Sequence, residues 1–160
     1  MTAAQPLVWQ WYGFDDFDAR TLYAYIKLRT DIFVVEQNCA YAELDNLDLL
    51  ARHLLGRNAA GETQACLRLV PPGLKYPEPS LGRVAIAPAQ RGSGAGHALI
   101  AEGLREADAR YPGLAHQIGA QAHLASFYGK HGFVQVGAIY DEDGIPHIDM
   151  LRAPLAVASV

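Results

Sequence analysis

The chain has 160 residues, of which 51% are hydrophobic and 19% charged. That describes one globular domain, spanning residues 1–160, and excludes a disordered chain, because enough apolar surface is present to offset the entropy of ordering. Thirteen basic and seventeen acidic residues leave a formal charge of -4, which argues against nucleic acid or an anionic membrane surface as partner, since both need a basic face.

Leu7 to Phe14 is aromatic and β-branched, the pattern of an opening strand. This N-terminal stretch lacks a basic region and a small-residue cleavage site, so it does not read as a secretory leader. Asp15, Asp16 and Asp18 offer caps for a helix. Leu22, Tyr25, Ile26, Arg29 and Phe33 share one face of that helix, which runs on to Glu36. An arginine on an apolar face either pairs with an acid, Asp45 or Asp48 being nearest in pattern, or snorkels at its edge. Asn38 to Leu50 reads as a polar loop with a short helix. His53 to Arg57 and Thr63 to Val70 form a hairpin around Asn58-Ala59-Ala60-Gly61. A proline-rich loop precedes a strand at Leu81 to Ala87, and a glycine-rich turn then leads into a helix with Ile100, Leu104, Ala107 and Tyr111 in one stripe.

Pro112-Gly113 stops that helix. Leu114 to Gly119 is a strand, Ala122 to His131 a helix, and Phe133 to Tyr140 and His147 to Arg152 are strands around Asp141-Glu142-Asp143-Gly144. The order describes a mixed α/β domain with an antiparallel front half and a strand–helix–strand unit in its middle. No run of about eighteen apolar residues exists, so no membrane span is expected. Cys39 and Cys66 lie far apart and form no metal or disulfide motif, which suits a reducing, cytoplasmic compartment. No histidine has metal-ligand spacing, so no metal is expected; His53, His97, His116 and His131 read as structural or exposed.

The informative segment is Arg91-Gly92-Ser93-Gly94-Ala95-Gly96-His97, between a strand and a helix. Glycines let successive backbone N–H groups converge, and the helix start adds partial positive charge, which together suit a pyrophosphate. It is not a P-loop, because His97 and Ala98 follow Gly96 where Lys-Ser/Thr is required. It is not a dinucleotide fingerprint, because His97 or Leu99 occupies the last glycine position. The remaining pattern, Arg/Gln-x-x-Gly-x-Gly/Ala, is matched by Arg91, Gly94 and Gly96.

A second pattern follows in Gln121-Ala122-His123-Leu124-Ala125-Ser126-Phe127-Tyr128-Gly129-Lys130-His131-Gly132-Phe133. The two patterns, in this order, resemble the GNAT (GCN5-related N-acetyltransferase) superfamily, although Gln121 replaces the usual asparagine. Phe33-Val34-Val35-Glu36-Gln37, Leu81-Gly82-Arg83-Val84, Gly119 to Leu124 and Asp143 to Ile148 are similar to the ElaA-like subfamily. The resemblance covers about residues 8–155 and implies the GNAT fold. That fold is a mixed, twisted α/β sheet of about seven strands with about four helices, its central parallel strands splayed around acyl-CoA.

The resemblance also implies acetyl-CoA as cosubstrate and a primary amine, of a small molecule or peptide, as acceptor. A backbone amide of Val84, Ala85 or Ile86 would stabilise charge developing on the thioester oxygen, and that strand edge would pair with the pantetheine arm. Gly92, Ser93, Gly94, Ala95 and Gly96 would hold the pyrophosphate, with Arg91 either joining them or facing solvent. Gln121 and Ser126 belong to the same cofactor set. Tyr128 stands where many members carry the acid that protonates the leaving thiolate. Glu36 and His147 are the leading bases for the amine, with Glu43 and Asp45 behind them and His123 a weaker candidate at the cofactor exit.

Three alternatives stay open. Cys39 could be a nucleophile, but no serine or cysteine has an evident histidine partner. The pattern Arg29…Phe33…Glu43-Leu44-Asp45…Asp48 is similar to part of the acyl-homoserine-lactone synthases. A non-catalytic CoA-binding module is the third. The acidic loop points to a cationic acceptor unless its acids are merely solvated. The aromatic first strand is a candidate contact in a homodimer, an assembly common in the superfamily.

Overall fold

The computed structural model describes residues 6–155. Residues 1–5 and 156–160, and with them part of the N-terminal segment read for a leader and both ends of the 1–160 domain, lie outside the described residues. The chain forms β1 (Val8–Gly13), α1 (Ala19–Thr30), β2 (Arg52–Arg57), β3 (Thr63–Val70), β4 (Ser80–Ile86), α2 (Ala95–Arg110), β5 (His116–Gln121), α3 (Ala125–Gly129), β6 (Phe133–Glu142) and β7 (Ile145–Arg152). This is the element order expected from the sequence. The strands make two antiparallel sheets, β1-β2-β3-β4 and β5-β7-β6.

The local chemistry explains the boundaries. Asp18 caps α1 by accepting from the Thr21 N–H at 2.7 Å, which satisfies one of the orphan donors of a helix start. The helix read as continuous to Glu36 is instead α-helical to Thr30 and then π-helical over Asp31–Glu36. The wider turn displaces the following side chains around the axis, as π turns near functional sites often do. The strand read as Leu114 to Gly119 begins at His116 and runs to Gln121. The helix read over Ala122 to His131 is a 3-10 turn at Ala122–Leu124 followed by α3.

The main core lies between α2 and the strands. Leu54, Leu67, Leu69, Leu99, Ile100 and Ala107 are fully buried in it. Each large aliphatic side chain there contributes about 1.5–3 kcal/mol over an exposed one. Gly103 allows the close approach, because a Cβ there would meet Leu67 at 2.8 Å and Leu81 at 3.2 Å. The aromatic side chains of β1, expected as a candidate contact between copies, are turned onto the chain itself. Trp9 packs over Gly56, and the Trp11 indole donates to Glu102 of α2 at 3.1 Å.

Candidate active site

The two sheets meet at β4 and β5. The crossover through α2 sets these strands side by side, but they share no ladder, each ending its own sheet. Their first residues are tied, the Gln117 N–H donating to the Pro79 carbonyl at 3.2 Å. From that point they part, and a cleft of about 710 Å³ opens between them. Val84, Ala85, Ile86, Arg91, Gly96, Gln121 and Tyr128 all line it. So do Glu36, His123 and His147, which the sequence placed on three different elements.

The strand edge inside the cleft is irregular. Cys66 pairs with Ala85 and Arg68 with Gly82, so Arg83 and Val84 bulge opposite the single residue Leu67. Arg83 takes φ 48, a left-handed conformation that costs a non-glycine residue about 1 kcal/mol or more and persists where surrounding contacts enforce it. A bulge breaks the regular ladder and re-aims side chains, which is what an edge open to a ligand requires.

At one end of the cleft the glycine-rich turn leads into α2. Gly92 and Gly94 have φ 77 and 86, and nothing lies within 4 Å of where their Cβ atoms would be. Gly94 is the N-cap of α2 and supplies no side-chain cap. Ser93 donates its hydroxyl proton to the Gln90 carbonyl at 2.6 Å, and its oxygen accepts from the Ala95 N–H at a long 3.4 Å. The arrangement is an open, weakly capped cradle whose chemistry fits a pyrophosphate. Gln121 donates from Nε2 to Gln37 at 3.3 Å across the cleft. Ser126 is exposed on α3; of the expected cofactor set, Ser126, Gly92, Ser93, Gly94 and Ala95 lie outside the cleft lining itself.

Arg91 is neither aimed at the cradle nor loose in solvent. Its two terminal nitrogens donate to both carboxylate oxygens of Glu36, at 2.6 and 2.9 Å, and its Nε to the Ile86 carbonyl at 3.2 Å. The Arg91 hydrogen bonds hold the Glu36 carboxyl below its ordinary value. A carboxylate with both oxygens occupied and a lowered pKa is a poor base, and this geometry argues against the base role offered for Glu36.

Tyr128 is buried on α3, its ring edge-on to Phe127 and Phe133. Burial pushes its pKa up to about 12, so its phenol stays protonated through neutral pH. His147 is buried on β7. Its Nδ1 faces the Ile145 carbonyl at 2.8 Å and must donate to it, which leaves Nε2 as the working nitrogen, 3.1 Å from Glu142.

The opposite end of the cleft rests on a charge network. Arg29 is fully buried and donates to Glu43 at 2.8 Å and to Asp48 at 2.8 and 3.1 Å. Of the two expected partners, Asp48 is present, and Glu43 takes the place of Asp45. Asp45 instead receives a two-pronged contact from Arg68, at 2.7 and 2.6 Å. Arg83 joins from the bulge, Nε donating to Glu43 at 3.0 Å. Burial works against charge on Asp45, yet Arg68 and Arg83 outweigh it and take its pKa down to about 2. The acids read as a solvated loop that could greet a cation are therefore spent on three arginines, and neither Glu43 nor Asp45 is free to act as base.

Sequence reasoning missed Arg68, Arg83, Tyr41 and Lys75. Arg83 had a signal, since it lies in a segment quoted for the subfamily resemblance. The others are single residues in unremarkable strands or loops. Cys39 lines the cleft with its thiol toward the Asp143 carbonyl and no histidine partner. The Cys66 thiol is buried, which pushes its pKa up to about 12, and is inert. His53 is locked between the Tyr25 hydroxyl at 2.7 Å and the Asp48 carbonyl at 2.9 Å. No group of three or more metal-ligating side chains is found among the described residues.

The acetyltransferase (GNAT) domain family matches residues 73–153. Escherichia coli ElaA is 38% identical over 146 residues, covering 90% of this chain and 95% of ElaA. The ElaA crystal structure superposes with a TM-score of 0.85. An acyl-CoA N-acyltransferase from Pseudomonas aeruginosa is 42% identical, with a TM-score of 0.87 over 92% of this chain and 99% of that one. UPF0039 protein sll0451 of Synechocystis is 44% identical, over 91% of this chain and 96% of its own. With the divided sheet, the cradle and the cleft in place, these likenesses assign the chain to the GNAT acetyltransferase family and its ElaA-like branch, as an acyl-CoA-dependent N-acyltransferase.

Proposed function

We propose that the protein transfers an acetyl group from acetyl-CoA directly to a primary amine. The observation that carries this reading is one gap, between β4 and β5, bordered by the open glycine cradle and by a protonated Tyr128. The N–H groups of Gly92 to Gly96 would hold the pyrophosphate, and the bulged edge at Val84 to Ile86 the pantetheine amides. The thioester supplies the activated acyl group. A backbone N–H of Val84, Ala85 or Ile86 meets the charge that develops on its oxygen, and Tyr128 gives its proton to the departing sulfur.

His147 is the preferred base. Its Nδ1–H is held by Ile145, so Nε2 takes the amine proton, and the half-exposed Glu142 steadies the ring that results. Glu36 is assigned to the Arg91 pair rather than to proton transfer. The reading places the whole reaction in the 1–160 domain.

The test is thiol release from acetyl-CoA with a panel of amino acids, polyamines, aminoglycosides and peptides. Amine-dependent release of free CoA is the expected result. Thermal stabilisation by CoA without acetylation of any amine would favour a binding module, and turnover only with an acyl-carrier-protein donor would favour the homoserine-lactone-synthase type.

A further inference from the structure

Most charges along the cleft wall are answered. Arg91 is held by Glu36 at 2.6 Å, and Asp45 by Arg68 at 2.6 Å and by Arg83 at 3.5 Å. Three charges remain. Glu142, 3.1 Å from the neutral base His147, and Asp143 are exposed where β6 turns into β7, at the rim. Lys75, in the loop before β4, lines the cleft itself and has no acid within ion-pair distance among the described residues. Its ammonium stands 5.5 Å from the Tyr76 ring centroid.

Lys75 shares the lining of this cleft with Asp45, Arg83, Glu142 and His147. Lys75 is exposed by surface area, while desolvation, reinforced by Arg68 and Arg83 and opposed by Glu142 and Asp45, lowers its pKa. An unpaired cation drawn partly out of water gains most from an anion brought to it. Arg83 lines the same cleft: its Nε and Nη2 are engaged with Glu43 and Asp45, while Nη1 has no protein partner among the described residues.

We propose that the acceptor is an amine that also bears a carboxylate, and that Lys75 and Arg83 Nη1 receive that carboxylate while the amine faces His147. The assignment rests on the acetyltransferase reading above. One free ammonium and one spare guanidinium nitrogen match a single negative charge. A dianion such as phosphate would carry one charge more than these two donors offset. The same balance disfavours a polyamine at this end, where Asp45 is already paired and Lys75 would repel a second cation.

The test compares matched amines: α-amino acids against their amides, and against diamines of equal length. The carboxylate-bearing member of each pair is expected to have at least about tenfold higher kcat/KM, within the range of a charge-assisted contact. Lys75→Ala should remove most of that preference through KM, with kcat and the urea midpoint little changed, and Lys75→Arg should restore it. Equal or better use of the amides or diamines, or an unchanged preference in Lys75→Ala, overturns this inference and leaves the acetyltransferase reading standing. No acetylation of any member, with acetyl-CoA still bound, overturns both.

Discussion

The two ends of the cleft are built by opposite means. The end beneath α2 is backbone: the turn from Gly92 to Gly96, with open space where side chains would be at Gly92 and Gly94. The other end is side chain: Arg29, Arg68 and Arg83 interlocked with Glu43, Asp45 and Asp48, residues drawn from four separate stretches of chain. In the proposed reading, backbone amides provide a fixed polar cradle for a cofactor that is the same in every turnover. Side chains can be exchanged one at a time, and that reading puts them where the variable partner, the acceptor, would be recognised. The difference also sets what damage does: the first end should fail in binding, the second in stability and choice of acceptor.

The strongest test of that contrast is Arg29→Met. Removing the guanidinium leaves Glu43 and Asp48 buried without their main cation, and should destabilise the fold by about 3–5 kcal/mol. A fall in the urea midpoint with CoA-induced stabilisation retained in the folded fraction is the expected outcome. An unchanged midpoint would break the distinction.

Gly94→Glu probes the other end. The site is open, so the fold should tolerate the side chain apart from about 1 kcal/mol of strain at φ 86. The carboxylate would face the phosphates, and acetyl-CoA affinity should drop at least about a hundredfold. Isothermal titration measures it, and undiminished binding would remove the loop from the cofactor site.

Tyr128→Phe should lower kcat about a hundredfold while leaving the KM for acetyl-CoA within a few-fold, since only the transition state loses a contact. Because burial holds the wild-type phenol near 12, Tyr128 should produce no alkaline fall in kcat below about pH 10. Parallel losses in kcat and affinity would reassign it to packing.

Glu36→Gln is the mildest. The Arg91–Glu36 pair is 44% and 43% exposed, so breaking it should change stability by under about 1 kcal/mol. With Arg91 released toward the cradle, acetyl-CoA affinity should stay level or rise by up to about fivefold. A loss of kcat beyond about tenfold would return Glu36 to the role of base and displace His147.

What could be read from the sequence follows the same division. Arg91 to Gly96 and Gln121 to Phe133 are contiguous, and glycine at a positive φ or tyrosine at a fixed offset leaves a local trace. The order of strands and helices was legible for the same reason, since periodicity and turn residues act within a few positions. The π turn at Asp31–Glu36 was not, because 3.6-residue periodicity cannot register one wider turn. The exchange of partners between Asp45 and Glu43 was equally hidden: each arginine could reach any of three nearby acids, and packing chose.

The sequence by itself therefore determined the family, the fold order and the glycine-rich turn, because these depend on the intrinsic behaviour of adjacent residues. Only the tertiary structure decided that Arg91 binds Glu36, that the acidic loop is neutralised from within, and that Lys75 stands in the cleft without an acid partner among the described residues. Those are balances between charges brought together from distant positions, and their sum depends on distances that no local pattern encodes.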